Sequence, residues 1–104
     1  LIPVLAITTA PSRDTAEKLA KTLVENRLAA CVNILGDVKS VYWWEDAIQT
    51  EVEHVLLIKT LTEKLKSVKV LETNHPYEVP ELLVLNISDG LENYLRWIGD
   101  VIRK

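Results

Sequence analysis

Cysteine is almost missing: Cys31 stands alone among 104 residues. One thiol cannot close a disulfide within the chain, and such sparing use fits a reducing compartment, so a cytoplasmic location is expected. Histidine is nearly as scarce. His54 and His75, even with Cys31, are too few for a closed zinc site in one chain. There is no block of Lys and Arg; 12 basic against 15 acidic side chains leave a net charge of −3. Neither nucleic acid nor an anionic membrane is therefore expected as a partner. No apolar run reaches the ~20 residues of a membrane span, and no secretory leader is expected ahead of the first strand. The glycine-rich loop that cradles phosphate is lacking too, since the first strand-to-helix loop reads Thr9-Ala10-Pro11-Ser12. No Cys-x-x-Cys pair is available for a metallochaperone.

What remains is a well-mixed chain, 48% apolar, long enough for one domain over residues 1–104 and too short for two. Its most loaded stretch is Asn74-His75-Pro76-Tyr77-Glu78-Val79-Pro80-Glu81. Two prolines four residues apart fix their own φ and push His75 and Val79 toward extended backbone. The segment reads as a stiff connector carrying an imidazole, a phenol and two carboxylates.

Around it the chain punctuates itself. Residues 1–9 are apolar at most positions on both parities, which suits a central strand. Ser12 caps a helix striped by Ala16, Leu19, Ala20, Leu23 and Val24 and closed by Asn26-Arg27. Leu28 to Leu35 is a second strand; the chain bends at Gly36-Asp37 and runs on from Val38 to Trp44. Glu45-Asp46-Ala47 turns it back into a long strand, Ile48 to Thr60, so the two limbs form a long hairpin. Thr60 with Glu63 reads as a capping box for a second helix along Leu61, Leu65, Val68 and Leu71 or Glu72. Beyond the connector, residues 82–87 read as a buried strand. Asp89 with Glu92 is expected to cap a last helix striped by Leu91, Tyr94, Leu95, Ile98, Val101 and Ile102. The order βαββαβ plus a C-terminal helix predicts an α+β, ferredoxin-like fold with a long β2–β3 hairpin.

That fold puts two crossover helices on one face of its sheet. An open face in water should alternate apolar and polar residues. Here Val55 and Leu57 point one way while Leu56 and Ile58 point the other, and residues 82–85 repeat the pattern. Tyr42-Trp43-Trp44 places aromatic rings on both faces near the hairpin tip. Burying one such ring is worth about 4–6 kcal/mol at about 25 cal/mol per Å². A homo-oligomer with Tyr42, Trp43 and Trp44 at its interface is expected.

Ala29-Ala30-Cys31-Val32-Asn33-Ile34, Ser40-Val41-Tyr42-Trp43-Trp44, Ile58-Lys59-Thr60, His75-Pro76-Tyr77-Glu78-Val79-Pro80-Glu81 and Tyr94-Leu95-x-Trp97-Ile98 together resemble the CutA family, the divalent-cation tolerance proteins. The resemblance covers essentially the whole chain. It implies an intertwined homotrimer, association with divalent metal ions, copper(II) among them, and no enzymatic reaction. Some members place a cysteine at the end of the first strand and two histidines before the Pro-Tyr. This chain has Thr8 and Asn74-His75 there, so only His75 matches, and Thr8 and Asn74 lack a soft or imidazole donor. The metal contacts expected are His75 and Glu78, with Lys59, Tyr77 and Glu81 at an intersubunit ligand cleft. Cys31 is expected as a buried inert thiol and His54 as a solvent-facing or interface residue. A signalling trimer of the PII plan, with a small ligand in the clefts, is the alternative. An acylphosphatase-like hydrolase would use Arg13 but wants the absent glycine loop. An RNA-recognition domain wants stacking aromatics where Leu56-Leu57-Ile58 stands.

Overall fold

The structure is a computed structural model and describes residues 2–69 and 71–104, the side chains of 72 and 74 excepted. The expected start of the first strand at Leu1, a Glu72 on the second helix face and the Asn74 side chain fall outside the described residues.

Four antiparallel strands form one sheet in the order β2-β3-β1-β4. β1 (Pro3–Ala10) lies between β3 (Ala47–Leu61) and β4 (Leu83–Asn86), the central place its apolar sequence calls for. β2 (Cys31–Trp44) is the far edge and pairs with β3 along nearly its whole length. The ferredoxin-like plan with a C-terminal helix and a long hairpin is therefore present.

α1 (Arg13–Glu25) begins as expected, with the Ser12 hydroxyl accepting from the Thr15 amide at 3.2 Å. Ala16, Leu19 and Leu23 bury against the even-numbered face of the sheet, where Ala6, Ala10, Leu56 and Ile58 form the core. Arg27, in the left-handed region at φ 57°, ends the helix, and its guanidinium donates to the Val101 carbonyl at 2.7 Å. That bond ties the end of α1 to α4 (Glu92–Ile102).

The second helix is not one helix. A 3₁₀ turn at Thr62–Lys64 leads into α2 (Leu65–Val68), and α3 (Leu71–Asn74) follows. The capping box fails because Thr60 is still in β3, and its hydroxyl donates to the Leu28 carbonyl at 2.7 Å. Glu63 instead meets Arg103 at 2.9 Å. The Asp89 cap fails similarly. Leu91 is the residue before α4, so Asp89 sits too far upstream and accepts from the Gly90 amide at 2.8 Å.

The hairpin turns on Glu45 and Asp46, both left-handed (φ 50° and 60°), the two-residue geometry that matches strand twist. Its register shifts between Leu35 and Val38. There Gly36 lies directly over the His54 ring, and a Cβ at 36 would collide with it. β1 pairs with β3 only as far as Ala10 opposite His54. The outer hairpin therefore projects past the sheet, and the molecule measures 44 × 25 × 22 Å.

Two expectations about burial separate here. The even face is covered over its centre, where Leu56 and Ile58 are fully buried, and not at the β4 edge, where Val84 is exposed. On the odd face α4 covers one end, where Ile98 and Ile102 pack on Leu61 and Ala30. The rest of that face is open. Residues 83–86, expected as a buried strand, are exposed throughout, with Leu83 at 58%. The cause is position, since β4 is an edge strand that α4 does not reach across.

Candidate functional site

The open face carries a cavity of about 650 Å³ between the base of the hairpin and the proline connector. Register explains one wall. Val38 opposes Glu53, Ser40 opposes Glu51, and Tyr42 opposes Gln49. Directly paired residues share a face, so Ser40, Tyr42, Gln49, Glu51 and Glu53 all point to the same side. Trp44 joins them and Trp43 does not; Trp43 lies on the opposite side, 71% exposed. The other wall is the connector, which contributes Tyr77, Glu78, Val79 and Glu81.

His75 holds that wall in place. Its Nε2 lies 2.6 Å from the Thr9 carbonyl, and its Nδ1 accepts from the Tyr77 amide at 3.1 Å. A carbonyl only accepts and an amide only donates, so the proton sits on Nε2 and the ring is neutral in this arrangement. The Thr8 hydroxyl donates to the Glu81 carbonyl at 2.6 Å and pins the far end of the connector to β1.

Two phenol–carboxylate pairs cross the floor. Tyr77 Oη donates to Glu53 Oε2 at 2.6 Å, and Tyr42 Oη donates to Glu51 Oε1 at 2.6 Å. Burial opposes ionisation of Glu53, yet hydrogen bonds from Ser40, Tyr77 and Thr9 outweigh it and hold its pKa below the ordinary 4.5. Glu81 goes the other way: burial first, then the Glu53 charge, raises its pKa. Burial and the Glu53 hydrogen bond raise the Tyr77 phenol well beyond its usual range. The Tyr42 phenol is raised chiefly by its bond to Glu51.

The predicted residues divide accordingly. Tyr77, Glu78, Glu81, Tyr42 and Trp44 come together at the cavity. His75 stands behind it with both ring nitrogens engaged, so it offers no free lone pair, and the expected His75–Glu78 metal pair is not assembled. Among the described residues no group of three or more His, Cys, Asp or Glu converges on one point. Lys59 is on the same face as Glu53 but six residues along β3, roughly 20 Å away. Its ammonium lies 5.4 Å from the Tyr94 ring centroid. Cys31 is half-buried on the open face and not enclosed in a core. His54, expected in solvent or at an interface, is buried beneath Gly36 with Nε2 3.3 Å from Asp37, because the register shift folds the bulge over it.

Sequence reasoning missed Glu51, Glu53, Ser40 and Thr9. The signal was present as Gln49-x-Glu51-x-Glu53 on one side of a strand, paired across the hairpin to Tyr42, Ser40 and Val38. Reading the hairpin register, and not each limb alone, would have found it.

An antiparallel sheet with α1 on one face and, on the other, α4 at one end beside an acidic cavity defines a small ferredoxin-like protein. The chain belongs to the CutA1 divalent ion tolerance protein family, whose model matches residues 4–101. It is 41% identical over 101 residues to the divalent-cation tolerance protein CutA of Pectobacterium atrosepticum, covering 96% of this chain and 92% of that one. It is 37% identical over 102 residues to the chloroplastic protein CutA 1 of Oryza sativa subsp. japonica, covering 97% of this chain but only 58% of the rice protein. The crystal structure of the periplasmic divalent cation tolerance protein CutA from Archaeoglobus fulgidus superimposes with a TM-score of 0.93 at 37% identity, covering 97% of this chain and 99% of that one.

Proposed function

We propose that this chain is a homotrimeric, non-catalytic binding protein whose cavity becomes an intersubunit cleft for divalent cations or a small cationic ligand. The observation that carries the reading is the open odd face. Leu83, Leu85, Tyr94 and Trp97 are exposed there, beside half-buried Leu57. A monomer leaving that much apolar surface wet is unfavourable at about 25 cal/mol per Å².

Topology favours a ring. β2 and β4 are the two edges of the sheet, and pairing one copy's β2 with the next copy's β4 is a head-to-tail contact, which gives a ring where its rotation closes. Three is the ring size the family resemblance implies.

The donors in the cavity are oxygens: four carboxylates and several hydroxyls. Oxygen donors suit hard divalent ions better than copper, which prefers imidazole or sulfur. The names of the relatives support divalent ions as a class, and the donor set favours manganese or magnesium over copper. Light scattering joined to metal calorimetry tests this. A trimer that binds Mn²⁺ weakly, less so in Glu81→Gln and unchanged in His75→Ala, is the expected result. A monomer, or binding lost only with His75→Ala, would overturn it.

A further inference from the structure

Asp89 is the only Asp or Asn in the chain that is followed by glycine. It lies between β4 and α4, where residues 87–91 have no regular structure, and both Asp89 and Gly90 are exposed. The Gly90 amide donates to Asp89 Oδ1 at 2.8 Å, so a main-chain nitrogen and the carboxyl group before it are already in contact. Attack of that nitrogen on Cγ closes a five-membered ring, and glycine puts no side chain in its way. The other aspartates lack this arrangement. Asp14 and Asp100 are inside helices, where the next amide points back along the helix. Asp37 and Asp46 are followed by Val38 and Ala47, whose side chains crowd the ring.

We infer that Asp89–Gly90 is a self-modification site, at which the chain isomerises through a cyclic imide. The Gly90 nitrogen bonds to Asp89 Cγ, and the amide proton leaves with the carboxyl hydroxyl as water. A solvent water then opens the ring at either carbonyl. Opening at Cγ restores aspartate. Opening at the former main-chain carbonyl leaves isoaspartate, with the chain running through Cβ and Cγ. No electrons are exchanged, and the chemistry needs no ligand and is independent of the cleft. The product carries one extra methylene in the link between β4 and α4. Gly90 packs on Leu95, whose Cδ2 would lie 3.3 Å from a Cβ at 90. The far end of α4 is fixed by the Arg27–Val101 and Arg103–Glu63 bonds, so the slack falls on its first turn.

The test is incubation of the intact protein at neutral pH in water enriched in heavy oxygen, followed by tryptic digestion and liquid chromatography with mass spectrometry. Asp89 is the only aspartate between Lys69 and Arg96, so one peptide reports on it. The same peptide, excised and incubated alike until half of it has converted, sets the time and the unfolded rate. In the intact protein this segment should gain one heavy oxygen and split into two separable forms, one of them a substrate for isoaspartyl methyltransferase. It should do so at least as fast as the excised peptide. The segments with Asp14, Asp37, Asp46 and Asp100 should do neither. Gly90→Ala should slow the change severalfold; Gly90 is not left-handed and the end of the Leu95 side chain can yield, so this variant keeps its fold. Asp89→Glu should abolish it, because the ring would need a sixth member. No label at residue 89, equal label at every aspartate, an unchanged rate in Gly90→Ala, or an intact protein much slower than the peptide would each overturn the inference.

Discussion

Glu53 and Glu81 line the same cavity and titrate in opposite senses. Glu53 has a lowered pKa, so its stabilisation is complete above the ordinary 4.5 and disappears as pH falls through its folded value. Glu81 has a raised pKa, so ionising it disfavours the fold. Mild acid, through the raised value and down to the ordinary one, restores stability through Glu81; stronger acid removes it through Glu53. Urea midpoints measured against pH should therefore rise and then fall on acidification. Glu81→Gln should abolish the rise, and a monotonic fall in the parent protein would contradict this account. Tyr77→Phe removes one of the bonds that depress Glu53, and its titration followed by NMR should move up toward 4.5. His75 acts as a fastener: both nitrogens bond backbone, at Thr9 and Tyr77. His75→Ala should lower stability by about 1–3 kcal/mol in denaturant unfolding, because buried backbone groups lose their partner.

Among the elements, α1 is held by a local signal and should respond locally. Ser12→Ala removes the side-chain cap on Thr15 and should cost about 1 kcal/mol, read from thermal or urea unfolding. α1 was legible because its cap, its apolar stripe and its end all lie within one short segment. The hairpin was legible for the same reason. The elements that departed from expectation are those whose key side chains answer to distant partners. Thr60 donates to Leu28, 32 residues away, and not to its own helix start. β4 reads as buried by its composition and is exposed by its place at the sheet edge. The site divides along the same line. The connector announces itself by its prolines and clustered polar groups. Glu51 and Glu53 became visible only once the hairpin's register set them beside Tyr77 and Glu81, and His54 needed the bulge at Gly36 to explain its burial.

At the scale of the whole molecule, one sheet face is closed by helices and the other is half finished. α4 buries Ile98 and Ile102 yet leaves Tyr94 and Trp97 exposed and Leu91 82% exposed. The hairpin extends past β1 with aromatic rings on both sides. These features are costly in isolation and favourable where other copies cover them. The cavity lies on the open face at the hairpin base, so in this account assembly and binding share one surface. Sedimentation equilibrium at micromolar concentration tests that most directly. The account predicts a single species of three times the chain mass; a stable species of one chain mass, unchanged as concentration rises, would contradict it.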